Sequence, residues 1–490
     1  MLGRPRAAPA CTMAWWTEFP ASERRQVVRT SILIAAIVAA LSAVTQPAHG
    51  LTWGPEWRIT NNAVDDLTGL SNGRNVVADG NGGVHVVWTQ GTTVRYSRST
   101  NGGETWTADV VLSTSNARWP SMVLCPNGDI VVVYAEDNAD KSVYTRRSTD
   151  GGASWGVADY VWDTSDQVTG TWSVGPPVIA VAPDGTPYVV AGWRQYFGYY
   201  RYILKSFHWH TLGFWVTGGD LADLNGSSDY TPPYGPGLAA DHENNLHLAY
   251  NNLQTSVQVA YRKRTGGTWG ATQLIAGTSP GTSSVSIAVD VAANPYVVWT
   301  HSTANNVRMS CYSGSSWNTV EVATGGANAQ VIAADGDIHV VWSEDNRIRY
   351  RRWNVGAGAW NADAADLTDG TYDADYPSLA EGGLHLVWQD ARGSGGTKEV
   401  IYKEIAEGGE PELVDFDLTA PANDATGLPT DGIAFEWEDA SPVDALSYEL
   451  YMVEARATRA LRWRSRSTSP RTAGRMIWQI LITAPSTTGT

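Results

Sequence analysis

The sequence is poor in cysteine, phenylalanine, methionine and long apolar runs. Its 490 residues hold 3 Cys, 6 Phe and 6 Met, against 23 Trp, 21 Tyr and 49 Gly. This composition disfavours helices and suits short twisted strands joined by tight turns, which predicts an all-β protein. Cys11 lies near the N-terminus, whereas Cys125 and Cys311 fall in non-adjacent repeats, so we expect two buried free thiols and no disulfide.

No apolar run is long enough to cross a membrane. The apolar run near the N-terminus covers residues 32–44, which is too short to span a bilayer. Arg24, Arg25 and Arg29 lie just before this run, and Ala48-His49-Gly50 follows it in the small-x-small pattern of a cleavage site. We therefore interpret residues 1–50 as a signal peptide and expect a secreted or cell-surface protein.

Basic residues are scarce between the two ends of the chain. Segments 1–50 and 455–490 hold twelve of the 34 Lys and Arg but two of the 50 Asp and Glu, which leaves 22 basic and 48 acidic residues between them. Such a surface repels nucleic acid and anionic lipid. We interpret it as a solvated acidic surface, with calcium binding as the alternative, and we expect no other cofactor.

One segment recurs along the chain: a loop Gly or Asn, then a β-branched run that ends in an aromatic residue. GGVHVVW and GDIHVVW are two copies, and the weaker copy GTPYVVA ends in an alanine. The seven copies end at steps of 46, 57, 59, 49, 43 and 46 residues, at Trp88, Tyr134, Ala191, Tyr250, Trp299, Trp342 and Trp388. Each step is typical of one four-stranded blade, which predicts a seven-bladed β-propeller over residues 51–412. The six-bladed alternative would leave one copy out.

The seventh repeat lacks its tryptophan and fourth strand. The segment TWGPEWRIT at Trp53 matches TWTADVVLS at Trp106 and TWGATQLIA at Trp269. We therefore expect the first strand of the mature chain to complete the last blade, because closing the ring with strands from both ends removes free sheet edges.

A second motif, STNGGETW and STDGGASW, has the residues of a tight turn. Its short polar side chains can bond to the backbone of their own turn, and its paired glycines allow positive φ. The pattern S-x-D-x-G-x-x-W resembles the Asp-box of the bacterial neuraminidase repeat, which occurs in sialidases and other secreted β-propellers. The resemblance implies a structural turn between the third and fourth strands of a blade, away from the active site. The box residues are Ser99, Asn101, Gly103, Trp106, Ser148, Asp150, Gly152 and Trp155.

The resemblance to sialidases also implies a catalytic site with three arginines, a tyrosine nucleophile activated by a glutamate, and an aspartate acid/base. Arg74 in GRNVVAD occupies the place of the first arginine, although Asn75 and Val76 replace the Ile and Pro of the family motif. Tyr376 in DYPSLA is the candidate nucleophile, but WPSMV at Trp119 shows that this pattern belongs to the repeat. The turn TQGTTVRY, where the aspartate is expected, holds no carboxylate.

The third repeat is longer than the others and rich in aromatic residues between Gly192 and Gly237. Such residues pack under a loop insertion, or they form a stacking platform for a sugar ring or another flat ligand. We regard this repeat as the best region for a ligand site, with arginines around an axial pocket. The candidate ligand-binding residues are Arg118, Trp193, Arg194, Tyr196, Tyr199 and Arg201.

Other chemistries have little support in the sequence. Four histidines occupy equivalent positions in different repeats, which indicates a structural role rather than metal ligation: His85, His247, His339 and His385. No GxSxG, HExxH or phosphate loop is present. The turn at residues 136–140, EDNAD, could hold calcium but lacks a regular ligand spacing, so we assign no metal ligand.

The composition changes after Glu412. Residues 413–454 resemble the start of a fibronectin-type-III-like module of exported bacterial proteins, with too few strands for a complete sandwich. Residues 455–490 carry seven arginines and no acidic residue. We interpret this tail as disordered, the product of a frameshifted or truncated reading.

Two functions stay open on the sequence. The first is a non-catalytic, monomeric exported propeller that binds a glycan or another cell-surface ligand, which fits the eroded boxes, the seven blades and the missing acid/base. The second is an exo-acting glycoside hydrolase of the sialidase type, which the resemblance and Arg74 favour. A carboxylate pair and an arginine cluster at one end of the central channel would favour the enzyme.

Overall fold

The computed structural model describes residues 52–69, 73–113, 116–165, 171–196, 198–226, 235–252, 258–275, 282–301, 306–361, 364–380 and 384–406, together with six strands between residues 418 and 480. The predicted signal peptide, residues 1–50, lies outside the described residues. Most of the predicted fibronectin-type-III-like piece and of the arginine-rich tail also lies outside them.

The described residues up to 406 form seven antiparallel sheets, which are the blades of a β-propeller. Each blade has four strand positions, which we call inner, second, third and outer. Blade 1 contains Asp66–Leu67 with Val76–Ala78, Val84–Gln90, Thr93–Ser99 and Val110–Val111. Blade 2 contains Ala117–Leu124, Ile130–Glu136, Ser142–Ser148 and Asp159–Trp162. Blade 3 contains Thr171–Val174 with Val178–Val181, Pro187–Tyr196, Tyr200–His210 and Phe214–Gly226.

The remaining blades follow in chain order. Blade 4 contains Gly237–Ala240, Leu246–Asn252, Gln258–Thr265, and Thr268–Trp269 with Gln273–Leu274. Blade 5 contains Thr282–Val289, Pro295–His301, Asn306–Tyr312 and Trp317–Ala323. Blade 6 contains Ala327–Ala334, Asp337–Glu344, Arg347–Asn354, and Ala359–Trp360 with Ala365–Asp366. Blade 7 contains Ala374–Ala380, His385–Asp390 and Glu399–Ala406, with a 3-10 turn at Ser394–Gly396.

The outer position of blade 7 is filled from the N-terminal end of the propeller. Thr52–Trp53 and Trp57–Arg58 both pair with the third strand of this blade. The buried carboxylate of Glu399 fixes the closure, because it accepts hydrogen bonds from Arg58 Nη2 at 2.8 Å, Thr60 Oγ1 at 2.6 Å and the amide of Asn62 at 3.0 Å. The predictions of an all-β fold, seven blades and closure by the N-terminal strand are confirmed.

Beyond the propeller, the described strands pair in twos. They are Leu418–Ala420 with Glu436–Trp437, Ile433–Ala434 with Gln479–Ile480, and Ser447–Glu454 with Arg459–Arg466. Within the described part of the chain, no helix has the length and apolar character needed to cross a membrane.

The aromatic anchors of the sequence repeat form the core between blades. Trp88, Trp299, Trp342 and Trp388 are almost completely buried. Three of their indole groups donate to carboxylates: Trp88 to Asp66, Trp342 to Glu344, and Trp388 to Asp390. Truncating such a buried ring typically costs about 3–5 kcal/mol. The sequence repeat therefore reflects the same packing of a large aromatic side chain in different blades.

Polar side chains at one inner-strand position link neighbouring blades. Ser378 Oγ accepts from the amide of Asn75 at 2.9 Å, and Gln330 Oε1 accepts from the amide of Leu379 at 3.2 Å. In the same way, Ser286 Oγ accepts from the amide of Val331 at 3.3 Å. Inner strands of different blades belong to different sheets, so these side chains satisfy main-chain groups that no sheet pairing reaches.

The propeller has two distinct faces, because each blade is an antiparallel meander that runs outward from the channel. The front face carries the starts of the inner strands and the turns between second and third strands. The back face carries the turns between inner and second strands and the Asp-box turns at residues 99–106 and 148–155.

Candidate functional site

The candidate site lies where the central channel opens on the front face. Behind Arg74, the channel holds a cavity of about 400 Å³ that is walled by all seven inner strands, mostly at their last residues on the back-face side. Among the described residues that line it, Arg74 is the charged one, and the others are apolar, as at Val76, Met122, Ile179 and Leu238. Recognition of a polar ligand must therefore come from the mouth of the channel and the surrounding turns.

Arg74 lies two residues before Val76–Ala78, the inner-strand segment of blade 1 that lines the channel. Its Nη1 donates to the carbonyl oxygen of Val331 at 3.0 Å and lies 3.5 Å from that of Leu379. The guanidinium group therefore reaches the inner strands of blades 6 and 7. A substrate carboxylate at this point would compete with main-chain carbonyl oxygens for the same donors.

Asp375 and Tyr376 lie in blade 7, next to blade 1. Asp375 Oδ1 accepts hydrogen bonds from Asn328 Nδ2 and from the amide of Tyr376, both at 2.8 Å. The hydroxyl of Thr68 donates to the carbonyl oxygen of Tyr376 at 2.9 Å, and the Tyr376 ring packs against Gly69. Tyr376 is thus part of the junction between the last blade and the first.

Tyr376 has a φ of 50°, in the left-handed region that bulky residues rarely adopt. A break in strand register between Asp375 and Ser378 places it in a β-bulge. Trp119 in blade 2 and Asn328 in blade 6 lie at matching bulges with φ of 55° and 52°. The strained conformation therefore belongs to the repeat and does not single out Tyr376.

Arg118 lies at the front end of blade 2, where acidic and aromatic neighbours hold it. Its guanidinium group forms an ion pair with Asp137 and lies 4.3 Å from the ring centroid of Trp119. Burial lowers the pKa of Arg118. Lys141 Nζ shares Asp137 at 3.0 Å, so this carboxylate neutralises part of the positive charge of blade 2.

The candidate residues of blade 3 divide into core and surface. Trp193 is buried: its indole donates to the carbonyl oxygen of Lys141 at 2.9 Å, and its ring packs edge-on against Trp162 at 4.3 Å. Tyr196 and Tyr199 are 44% and 52% exposed at the turn between the second and third strands, on the front face. Part of the aromatic cluster therefore serves the fold, and part of it faces solvent.

Arg194 and Arg201 lie on the two strands that flank this turn. Arg194 pairs in register with Ser173 and Tyr202, and both arginine side chains are half-buried. The structure thus places Arg74 and Tyr376 on neighbouring blades, where these hydrogen bonds do not join their side chains, and it groups Arg194, Tyr196, Tyr199 and Arg201 in blade 3.

Asp66 is a buried carboxylate close to the turn in which the sequence shows none. Its Oδ1 accepts from Trp88 Nε1 and Gln90 Nε2, both at 2.9 Å, and its Oδ2 accepts from Asn62 Nδ2 at 2.7 Å. Burial raises the pKa of Asp66, although these hydrogen bonds oppose the shift. The residue is inaccessible to solvent. We therefore interpret Asp66 as a structural acceptor that holds the side chains of Asn62, Trp88 and Gln90 together in blade 1.

Tyr372 is a front-face residue that the sequence did not single out. It precedes the inner strand of blade 7, is 43% exposed, and lies with its ring centroid 5.1 Å from the guanidinium carbon of Arg392. The two residues are twenty positions apart and belong to two non-repeated turns. The sequence contains no repeated motif that links these two turns, so the contact between Tyr372 and Arg392 could not be predicted from it.

The Asp-boxes lie on the back face and join blades. In the second box, Ser148 Oγ donates to Asp150 Oδ1 and accepts from the amide of Gly152, both at 2.8 Å. Hydrogen bonds from Ser154 lower the pKa of Asp150 to about 2. Trp155 then packs edge-on against Tyr96 of the preceding blade at 4.8 Å.

The first box repeats this arrangement against blade 7. Ser99 Oγ donates to Asn101 Oδ1 at 2.8 Å and accepts from the amide of Gly103 at 2.8 Å. Trp106 lies edge-on to Tyr402 at 5.3 Å. Each box thus contacts a tyrosine of the preceding blade.

The four repeated histidines are buried partners of such tyrosines. His85 Nδ1 lies 2.7 Å from the hydroxyl of Tyr96, and His339 Nδ1 lies 2.7 Å from that of Tyr350. Burial lowers the pKa of both histidines to about 4. The pairs His247 with Tyr261 and His385 with Tyr402 have the same geometry, at 2.8 and 2.6 Å.

The described residues contain no candidate metal site and no disulfide. Within the described ranges, no group of three or more His, Cys, Asp or Glu side chains is arranged to hold a metal ion. Cys125 and Cys311 are both free. Cys125 is buried as expected, whereas the prediction of burial is wrong for Cys311, which is half-buried near the end of its strand.

No protein-family model matches the chain, and no curated protein matches it. A solved polysaccharide lyase is 12% identical, with a TM-score of 0.45 over 68% of this chain and 90% of its own. The GH93 α-L-arabinofuranosidase of Fusarium graminearum is 15% identical, with a TM-score of 0.43 over 59% and 93%. A Hadza microbial sialidase is 14% identical, with a TM-score of 0.42 over 66% and 73%. At these identities the likeness is one of fold alone: the chain is a β-propeller that resembles, at a distance, propellers of carbohydrate-active enzymes.

Proposed function

We propose that this protein is an exported propeller that binds carbohydrate at its front face. The observation that carries the proposal is a set of exposed tyrosines on this face: Tyr372 in blade 7 and Tyr196 and Tyr199 in blade 3 are 43% to 52% exposed. A tyrosine ring combines a flat apolar surface with a polar tip, which suits the C–H face and the hydroxyl groups of a sugar ring. Blades 1 and 2 and the channel mouth lie between the two groups.

The charge of the front face supports a polyhydroxy ligand. Carboxylates such as Asp373 and Asp375 lie at the start of blade 7, beside Tyr372 and Tyr376 in sequence. Sugar hydroxyl groups donate well to carboxylate oxygens, and such charge-assisted hydrogen bonds are stronger than neutral ones. Nucleic acid is a poor candidate because of the acidic surface.

The test is a glycan array probed with the full chain and two variants. We expect the wild-type protein to bind at least one glycan, and the double variant Tyr196→Ala/Tyr199→Ala to bind it more weakly. Tyr160→Ala is the matched control, since Tyr160 is 50% exposed but lies in the outer strand of blade 2. A wild-type protein that binds no glycan on the array would refute the proposal.

The second candidate is an exo-acting glycoside hydrolase. The observation in its favour is that Arg74 lines the channel, while Asp375 and Tyr376 lie near the start of the neighbouring inner strand of blade 7. Fluorogenic glycosides, an α-sialoside among them, test it with the wild type, Arg74→Ala and Tyr376→Phe. Turnover that both variants lose would establish a hydrolase, whereas no turnover together with glycan binding would leave the binding function.

Export is part of the proposal and has its own test. Residues 1–50 carry the arginines, apolar run and small-x-small pattern of a signal peptide. N-terminal sequencing of the protein recovered outside the producing cells is expected to begin at Leu51. Retention of residues 1–50 in a cytoplasmic product would contradict it.

A further inference from the structure

We infer that the front face binds an uncharged glycan, and that a sugar ring of this glycan stacks on Tyr372. The inference rests on the proposed carbohydrate-binding function and deepens it in two respects. It names a platform, and it assigns the charge class of the ligand. The charge class distinguishes this site from one that binds an acidic sugar.

Tyr372 has the geometry of a prepared platform. The guanidinium group of Arg392 lies 5.1 Å from the centroid of its ring, a distance typical of a cation–π contact, and the tyrosine is still 43% exposed. The cation lies over one side of the ring, and the 43% exposure leaves part of the tyrosine accessible to a ligand. A stacked sugar needs such a flat, accessible surface.

Arg392 is held too firmly to move aside or to bind an anion. Its Nε and Nη2 donate to the two carboxylate oxygens of Asp390 at 2.8 and 2.7 Å, and Nη2 also donates to Glu56 Oε2 at 2.7 Å. The Arg392 side chain is 17% exposed. Burial alone would lower the pKa of Arg392, but hydrogen bonds with both carboxylates raise it above its ordinary value. The cation therefore supports the ring, and its charge is already balanced.

Seven other basic groups near the front ends of the blades are also balanced by carboxylates. Arg58 pairs with Glu399, and Lys398 pairs with Asp373. Further ion pairs involve these basic residues: Arg95, Arg118, Lys141, Arg347 and Arg349. An anionic sugar placed here would gain no unpaired cation from these residues and would meet the paired carboxylates instead.

Arg74 does not reverse this balance in the described structure. Its Nη1 already donates to the carbonyl oxygen of Val331, with that of Leu379 at 3.5 Å. Beside the platform, Asp373 is 61% exposed at its side chain. Although Lys398 Nζ pairs with this carboxylate at 2.5 Å, the remaining lone pairs of the carboxylate can accept hydrogen bonds from sugar hydroxyl groups.

The experiment measures binding of named oligosaccharides to the full chain by isothermal titration calorimetry. The uncharged probes are cellohexaose, xylohexaose and mannohexaose, and the anionic probes are hexagalacturonate and sialyllactose. We expect binding to at least one uncharged probe, with an affinity that changes less than about twofold between about 50 mM and about 500 mM salt, since no charge pair is made. Neither anionic probe is expected to bind.

The platform is tested by substitution at Tyr372. We expect Tyr372→Ala to weaken binding of the uncharged probe about tenfold or more, and Tyr372→Trp to retain it, because the larger ring offers the same kind of surface. Tyr160→Ala is again the control and should bind like the wild type. Thermal unfolding of each variant confirms that the protein remains folded.

The outcomes separate the two levels of the proposal. Binding to none of the five probes would overturn this inference, and absence of binding to any glycan on the array would overturn the proposed function as well. Binding of an uncharged probe that Tyr372→Ala leaves intact would overturn the platform alone. Binding confined to the anionic probes, and weakened by salt, would overturn the assignment of charge class while leaving carbohydrate binding in place.

Discussion

Replacing Gly152 with alanine should reveal how much the Asp-box contributes to holding blade 2 against blade 1. Gly152 has a φ of 80°, and a Cβ at this position would overlap the hydroxyl of Tyr96. Alanine in this backbone region costs about 1–2 kcal/mol. Displacing Tyr96 also breaks its 2.7 Å hydrogen bond to the buried ring of His85, which adds about 1–3 kcal/mol. The expected total is about 2–5 kcal/mol.

Gly128 provides a matched control for the backbone part of this cost. It has a φ of 87° in a turn of the same blade, and nothing lies within 4 Å of an added Cβ. Gly128→Ala should therefore lose only the backbone term, about 1–2 kcal/mol. The difference between the two variants measures the contact between blades, free of the glycine-to-alanine effect on the backbone.

The assay is the midpoint of thermal unfolding, followed by the fluorescence of the abundant tryptophans. For a propeller of about 350 residues, 1 kcal/mol corresponds to a shift of roughly 1.4 °C. Gly152→Ala should lower the midpoint by about 3–7 °C, and Gly128→Ala by about 1–3 °C. Equal shifts in the two variants would refute the view that the box acts through Tyr96 of the neighbouring blade.

Two further predictions concern buried ionisable groups. The folded-state pKa of His85 and of His339 is about 4, below the ordinary 6.5, so the unfolded chain binds more protons between these values. The free energy of unfolding should therefore fall as the pH drops from 6.5 towards 4, by about 2 kcal/mol per histidine at pH 5. A thermal unfolding midpoint that stays constant over this range would contradict the lowered pKa of the two histidines. Glu399→Ala should cost about 3–5 kcal/mol, because it leaves the closing segment without its buried carboxylate. Asp373→Ala, which removes an exposed ion pair, should cost less than about 1 kcal/mol, and similar losses in these two variants would argue against closure through Glu399.

The fold could be predicted because the residues that build it recur. Trp88 and Trp342 occupy equivalent second-strand positions, and each indole has the same need for a carboxylate partner, met by Asp66 and Glu344. A packing requirement that recurs along the chain leaves a period in the sequence. The closing strand at Trp53 was predictable for the same reason, since it completes the one incomplete unit.

The site was less predictable, because its residues are brought together by turns that do not repeat. Nothing in the sequence pairs Tyr372 with Arg392, and nothing assigns Arg118 to Asp137 across the turn of blade 2. Composition marked blade 3 as aromatic but could not separate the buried Trp193 from the exposed Tyr196. Both belong to one strand, and only the packing of blade 2 against it distinguishes them.

A crystal structure of the protein with the uncharged hexasaccharide that binds best in calorimetry would show directly whether Tyr372 carries the sugar. We expect a sugar ring in van der Waals contact with the Tyr372 ring, with hydroxyl groups bonded to front-face carboxylates. A sugar on the back face or at the outer edge of the blades, with Tyr372 uncovered, would contradict this expectation.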